Sequence, residues 1–183
     1  MAYPPKYNKH IRLRGNDYRQ GAYFVTLCTL QRRELFGRII GDRPNAMMQL
    51  NDTGRVVDEC WRAIPDHFPH ARLDQTQIMP DHLHAILVLD PPMIIDPEGS
   101  TQWVDATGSS RNLRAKLRGP VRGSLGAIIA AFKSETTKRI NLMNGTAGQR
   151  LWQPGYYERA IRRQGGEYGR IAQYIAENPA NWR

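Results

Sequence analysis

The pair His82 and His84 has the residue type and spacing that a metal-dependent reaction needs. The segment Met79-Pro80-Asp81-His82-Leu83-His84 leads into a short apolar run that ends at Asp90, which predicts a buried strand. Because side chains two apart in a strand point to the same face, the two imidazoles are expected side by side. They would supply two ligands of a divalent metal ion, with a third from elsewhere. The alternative is an ordinary surface or core pair of histidines.

A second candidate segment near the C-terminus contains Tyr174 and Asn178. It falls in a predicted helix, from about residue 167 to 178, that stops at Pro179 because the residue before a proline disfavours helical backbone. Residues four apart share one helix face, so the phenol and the carboxamide are expected together. The alternative is a packing tyrosine and an asparagine that helps to end the helix.

Taken together, these side chains suit phosphoryl transfer. A hard divalent ion bound by two imidazoles and an amide oxygen leaves positions for phosphate oxygens and can polarise a phosphodiester. A phenol has an ordinary pKa of ~10, and a nearby cation would stabilise the phenolate as a nucleophile. Tyr156, Tyr157 and Tyr168 are competing phenols, but none has a carboxamide one helical turn further on, as Tyr174 does.

The excess positive charge lies in the last 73 residues of the 183-residue chain. Residues 1–110 carry 12 Lys/Arg against 13 Asp/Glu, whereas residues 111–183 carry 14 against 4. This asymmetry favours a polyanionic partner, most simply nucleic acid, over a merely solubilising basic surface. The predicted phosphate contacts are Arg111, Arg114, Lys116, Arg118, Lys133, Lys138 and Arg139.

The elements that must position these residues predict an α+β fold, with helices packed on one antiparallel sheet. The expected elements are a strand at 21–30, a hairpin of 35–40 and 46–50, a helix from Asn51 or Asp52 to about 67, a strand at 73–79, the histidine strand, a basic irregular loop at about 91–123, a helix at 124–143, an extended piece at 156–161 and the final helix. The length fits one domain. Cys28 and Cys60 are expected to be reduced core residues.

The chain contains no apolar stretch near the ~18 residues that span a bilayer, so a membrane is not an expected partner. Its N-terminus, Met1-Ala2-Tyr3-Pro4-Pro5-Lys6, has no apolar signal region, and a cytoplasmic location is expected.

The sequence resembles the single-tyrosine transposases of the HUH endonuclease superfamily, and most closely the REP-associated tyrosine transposases. Five motifs, in the family's order over roughly residues 10–182, support the resemblance: Tyr23-Phe24-Val25-Thr26, Met79-Pro80-Asp81-His82-Leu83-His84, Phe132-Lys133-Ser134, Trp152-Gln153-Pro154-Gly155-Tyr156-Tyr157 and Tyr174-Ile175-Ala176-Glu177-Asn178-Pro179.

The resemblance implies a ferredoxin-like antiparallel sheet of the HUH endonuclease type, in one transposase domain over residues 1–183. His82 and His84 match the metal-binding pair, Tyr174 the nucleophile and Asn178 the third ligand, with Mg²⁺ or Mn²⁺ as cofactor. The implied activity is metal-dependent nicking and strand transfer on single-stranded or hairpin DNA, through a phosphotyrosine link. A monomer is favoured, with a homodimer as the alternative.

Two departures and two other functions stay open. Asp81 stands where the family usually has asparagine, and it could tune the metal or cap a turn. The stretch 91–123 is longer and more basic than the family's usual connection. The chain could instead be a domesticated, non-cleaving nucleic-acid-binding protein on the same fold, or a metal phosphohydrolase in which Tyr174 only positions water.

Overall fold

The structure, a computed structural model, describes residues 18–91, 93–95, 101–103, 120, 122–162 and 165–182. The strands are β1 (Gly21–Cys28), β2 (Gly37–Ile40), β3 (Met47–Leu50), β4 (Ala71–Ile78), β5 (His82–Leu89), β6 (Met93–Ile95), β7 (Thr101–Trp103) and β8 (Tyr157–Ala160). The helices are α1 (Asp52–Arg62), α2 (Ile64–His67), α3 (Leu125–Asn144) and α4 (Glu167–Ala176), and a 3₁₀ turn at Pro179–Asn181 follows α4.

The central sheet has four antiparallel strands in the order β4-β5-β1-β8. Along the chain, its strands and the two long helices alternate as β1-α1-β4-β5-α3-β8. A βαββαβ order with the first and third strands at the centre of the sheet is the ferredoxin-like arrangement. The prediction of an α+β, ferredoxin-like sheet with helices packed on it is confirmed.

The two faces of this sheet are covered by different helices. One face presents Val25, Leu27, Leu83 and Leu87, all fully buried, to a large core that includes residues of α1 and α3. The other face packs on α4 through a smaller apolar cluster of which Ile86 and Ile161 are members. Because strand side chains alternate between faces, His82 and His84 lie on the α4 face.

Helix α1 begins as predicted, since the Asn51 side chain accepts a hydrogen bond of 2.9 Å from the Gly54 backbone N–H. The single helix expected to reach residue 67 is instead divided at Ala63 into α1 and α2. Pro65 explains the division, because a proline has no N–H to donate and its ring clashes with the carbonyl one turn earlier. It is accommodated in the first turn of α2.

The hairpin of β2 and β3 confirms the two extended runs expected there. Within the stretch 91–123, where an irregular loop was expected, β6 and β7 pair as a second antiparallel hairpin. The apolar run Met93-Ile94-Ile95 has the β-compatible composition that pairs in this way. Arg111, Arg114, Lys116 and Arg118 lie outside the described residues.

Both cysteines are buried and neither forms a disulfide, as expected. Within the described residues, no helix combines the length and the apolar character that crossing a membrane requires.

Candidate metal and nucleophile site

The histidine pair lies at the start of β5, on the face that α4 covers. The ring centroids of His82 and His84 are 4.4 Å apart, and the two residues are only 5% and 7% exposed. This is the side-by-side arrangement that their spacing predicts. Two imidazoles held together on a central strand could supply two ligands of a divalent metal ion.

Each imidazole uses its Nδ1 atom in a hydrogen bond within the protein. His82 Nδ1 lies 2.5 Å from Asp81 Oδ1, and His84 Nδ1 lies 2.8 Å from Thr26 Oγ1 on β1. These bonds fix the ring orientations and leave Nε2 of each ring as the nitrogen that could bind a metal. Metal-binding histidines in proteins usually have their second nitrogen held in this way.

The environment of His84 favours the neutral ring. Burial, reinforced by the nearby His82 and Arg32, lowers the pKa of His84 to about 3. A neutral imidazole has the free lone pair that a metal ligand requires, and so His84 is ready to coordinate at any pH near neutrality.

Tyr174 reaches the histidines from α4. Its ring centroid is 5.5 Å from that of His84 and 6.2 Å from that of Phe24, which itself stacks on His84 at 5.4 Å. Ile175, the next residue, is fully buried in the cluster under α4 and anchors the helix. Tyr174 remains 52% exposed, so its hydroxyl stands at the edge of the site and not inside the core.

Asn178 lies just beyond α4, which ends at Ala176, two residues earlier than expected. Its backbone still has helical angles (φ −57°, ψ −42°), so it follows Tyr174 by about one turn. Trp182, four residues later, contacts His82 with ring centroids 5.9 Å apart. Asn178 therefore lies in the chain between two residues that both touch the histidine pair, and it is only 8% exposed.

The donor set fits a divalent ion. Among the described residues no group of three or more His, Cys, Asp and Glu side chains could hold a metal, so a third ligand taken from them would be of another type. The buried Asn178 carboxamide is a group of that other type, and its oxygen is the expected third donor. Two imidazoles and one amide oxygen match the preferences of Mn²⁺ and, with added water, of Mg²⁺.

Three of the predicted DNA contacts lie on α3, in different environments. The Lys133 ammonium donates to the carbonyl oxygens of Gln153 (2.5 Å) and Gly155 (2.8 Å), and burial lowers its pKa to about 8. Arg139 pairs with Glu59 at 2.7 Å. Lys138 is exposed. Their roles in DNA binding stay predictions.

Lys133 and Lys138, with Arg150, line an open groove of about 420 Å³ between α3 and the segment that follows it. No lining residue in the described chain is acidic. The groove lies near the histidine end of the sheet, because the Gln153 N–H, beyond its rim, donates to the carbonyl of Cys28, which pairs with His82 across the strands. A basic groove at this place suits a polyanion.

Sequence reasoning left four neighbours of the site without a role: Phe24, Thr26, Arg32 and Trp182. Alternation along β1 could have placed Phe24 and Thr26 on the face that carries the histidines, since every second residue of a strand shares a face. Arg32 and Trp182 reach the pair through tertiary packing, and no local pattern indicates them.

The chain is similar in sequence to a known protein. No family model matches it. A Haemophilus influenzae protein, described as uncharacterized, is 34% identical over an alignment that covers 96% of this chain and 90% of that protein. The chain belongs to the same family as this protein. This family relationship establishes common descent, and it carries no activity with it.

Two solved structures are similar at lower identity. A REP-associated tyrosine transposase bound to a REP hairpin has 18% identity and a TM-score of 0.47, over 88% of this chain and 68% of that one. A candidate transposase from Deinococcus radiodurans has 17% identity and a TM-score of 0.46, over 89% of this chain and 93% of that one. Because the identities and the TM-scores are both low, the function proposed for this chain rests on its site residues alone.

Proposed function

We propose that this chain is a metal-dependent, transposase-like enzyme that cuts and transfers single-stranded or hairpin DNA through Tyr174. The observation that carries the proposal is the position of a half-exposed phenol, with its ring 5.5 Å from a buried, neutral imidazole that is paired with a second one. Purely structural packing would favour burial of the tyrosine, whereas a nucleophile must be reached by its substrate.

His82, His84 and Asn178 would hold the metal ion, either Mg²⁺ or Mn²⁺. When bound, the ion would act as a Lewis acid on a phosphate oxygen at the scissile link. The protein's own contribution is to orient the three ligands: Asp81 and Thr26 hold the rings at Nδ1, and the turn after α4 holds Asn178.

In the chemical step, the Tyr174 oxygen attacks the phosphorus of one phosphodiester. A new P–O bond joins the phosphate to Tyr174, one P–O bond to the sugar breaks, and the phenol proton leaves while the departing sugar oxygen takes up a proton. The number of phosphoester bonds is unchanged, so the link retains the energy for rejoining to another strand. Phe24 supports this geometry by packing against both Tyr174 and His84.

The DNA strand would reach the site along basic surface. The groove lined by Lys133, Lys138 and Arg150 lies near the histidine end of β1 and β5 and has the sign of charge that a phosphate backbone requires. The arginines and the lysine between positions 111 and 118 add to the same positive half of the chain.

The decisive test looks for a covalent adduct. Purified protein is incubated with Mg²⁺ or Mn²⁺ and an end-labelled single strand flanked by a hairpin, and the products are separated under denaturing conditions. The wild type should give a labelled protein band. Tyr174→Phe removes one oxygen and keeps the ring, so it should fold and bind DNA while the band disappears.

Tyr157→Phe is the matched control, because Tyr157 is also half exposed and its ring also contacts Phe24, at 6.0 Å. It should keep the adduct. An adduct that survives in Tyr174→Phe and maps to Tyr157 would show that the nucleophile is a different phenol. DNA binding without any adduct would identify a non-cleaving binding protein, and cleavage without an adduct would identify a phosphohydrolase.

A further inference from the structure

The Asp81 carboxylate links the Arg32 guanidinium to the His82 imidazole. This carboxylate is almost fully buried, with Oδ1 2.5 Å from His82 Nδ1 and Oδ2 2.7 Å from Arg32 Nε. The two oxygens therefore face two different donors. A buried carboxylate is costly unless its oxygens are satisfied, and here both are.

The surrounding backbone holds Asp81 and Arg32 in place. The Asp81 carbonyl accepts from the Thr29 backbone N–H (2.9 Å). Gln31 and Arg32 have left-handed backbone, with φ values of 60° and 57°, although neither is glycine. Such residues cost about 1–3 kcal/mol each and tend to cluster at functional sites. The strained turn directs Arg32 toward Asp81, and its guanidinium also reaches the Cys28 sulfur at 2.9 Å.

The chemistry of the two Nδ1 partners differs. An ionised carboxylate only accepts hydrogen bonds, so in the neutral His82 ring Asp81 requires the hydrogen to be on Nδ1, and Nε2 then keeps its lone pair. The Thr26 hydroxyl beside His84 can either donate or accept, so it permits both tautomers. Only His82 is therefore restricted to the tautomer that can bind a metal through Nε2.

We infer that Asp81 is a positioning residue that locks His82 in its metal-binding tautomer, and that Arg32 holds the Asp81 carboxylate in place. This inference rests on the proposed function for its purpose, since it concerns the readiness of His82 to take a metal. The contact between the Asp81 carboxylate and His82 favours the interpretation that Asp81 tunes the metal over the interpretation that it caps a turn.

The test first measures the tautomer in metal-free protein. ¹⁵N-labelled histidine spectra at about pH 8.5, above the ordinary imidazole range, distinguish a ring with the hydrogen on Nδ1 from one with the hydrogen on Nε2. The wild type should show His82 with hydrogen on Nδ1 only. Asp81→Ala removes the acceptor, so its His82 should become a mixture in which the Nε2–H form is present.

The second measurement is Mn²⁺ affinity by titration calorimetry. Asp81→Ala should weaken binding about 10- to 100-fold, the usual effect of losing a partner behind a metal ligand. The double variant Asp81→Asn/Arg32→Met keeps one carbonyl acceptor for His82 and removes the competing guanidinium. It should restore the Nδ1–H tautomer and bring the affinity to within about tenfold of the wild type.

Asp90→Ala is the matched control, because Asp90 follows β5 as Asp81 precedes it and also pairs with an arginine, Arg72. It should change neither tautomer nor affinity. A His82 spectrum unaltered by Asp81→Ala, or a double variant that behaves like Asp81→Ala, would overturn the inference. Failure of the wild type to bind Mn²⁺ would instead overturn the proposed function, since the tautomer result does not depend on metal.

Discussion

The two faces of the central sheet are formed by the same strands, but they bury different kinds of side chain. On the face that packs on α1 and α3, consecutive inward residues of β5 are Leu83, Ala85, Leu87 and Leu89, and all are fully or almost fully buried. On the α4 face, the same strand presents His82, His84 and Ile86. One face gains its stability from apolar area, whereas the other buries polar groups that need specific partners.

The comparison shows where stability and function reside. At the histidine pair the buried carboxylate and both imidazoles are tied to named atoms: Asp81 to Arg32 and His82, and His84 to Thr26. Such networks contribute little net stability, because hydrogen bonds to water are exchanged for bonds within the protein. We therefore expect substitutions on the two faces to separate stability from activity.

The largest effect on stability should come from Leu87→Ala. Leu87 is fully buried in the core on the α1 and α3 face, so truncation removes apolar contacts and leaves a cavity. The free energy of unfolding should fall by about 2–5 kcal/mol. Urea denaturation measures this, and cleavage per folded molecule should stay within a few-fold of the wild type. A loss of cleavage in fully folded Leu87→Ala would contradict the separation of stability and activity between the two faces.

His82→Ala should give the opposite result. It removes a predicted metal ligand from the α4 face, so adduct formation should fall by ~10²-fold or more. The loss of unfolding free energy should be smaller than for Leu87→Ala, because the side chain contributes hydrogen bonding more than apolar area. Both quantities can be measured on the same preparation. Equal losses of stability in the two variants would contradict the comparison.

Much of the larger core could be predicted from sequence because its signals are local. Short runs of apolar and β-compatible residues predicted the strands, and Asn51 marked the start of α1 with a cap that the structure contains. The β6–β7 hairpin was not predicted, because a short apolar run among prolines and glycines has no clear period. The break at Ala63 was missed although Pro65 is visible in the sequence, since the apolar spacing continues across it.

The site was predicted less completely, for a physical reason. The shared face of His82 and His84 follows from a two-residue period, and the structure also brings the Tyr174 ring beside His84. Arg32 meets Asp81 across 49 positions of sequence, through two left-handed residues that no residue pattern demands. Contacts of this kind are set by tertiary packing, so only the structure reveals them.

The α4 face should also be the more sensitive to acid. In metal-free protein, the unfolded chain protonates His84 near its ordinary pKa of 6.5, whereas burial lowers the folded pKa to about 3. The unfolded state thus binds more protons between these values, so the contribution of His84 to stability is complete above pH 6.5 and is lost as the pH falls toward 3. At pH 5 the loss is about 2 kcal/mol. Denaturation at a series of pH values with a chelator present measures this loss. The free energy of unfolding of His84→Asn should fall less steeply with falling pH than that of the wild type. Parallel curves for the two proteins would contradict a buried, neutral His84 ring.

The smallest effect compares two neighbours on α3. Lys138 is exposed and has no acidic partner among the described residues, whereas Arg139 is neutralised by Glu59. A charge that contacts a phosphate releases a counterion, and each such contact contributes about 0.7 to the slope of log binding constant against log salt for a single strand. Lys138→Gln should therefore lower that slope by about 0.7, and Arg139→Gln should leave it nearly unchanged. Fluorescence anisotropy with a labelled single strand at several salt concentrations gives both slopes. If neither changes, the strand does not run along the groove beside α3, and its contacts belong to Arg111, Arg114, Lys116 and Arg118.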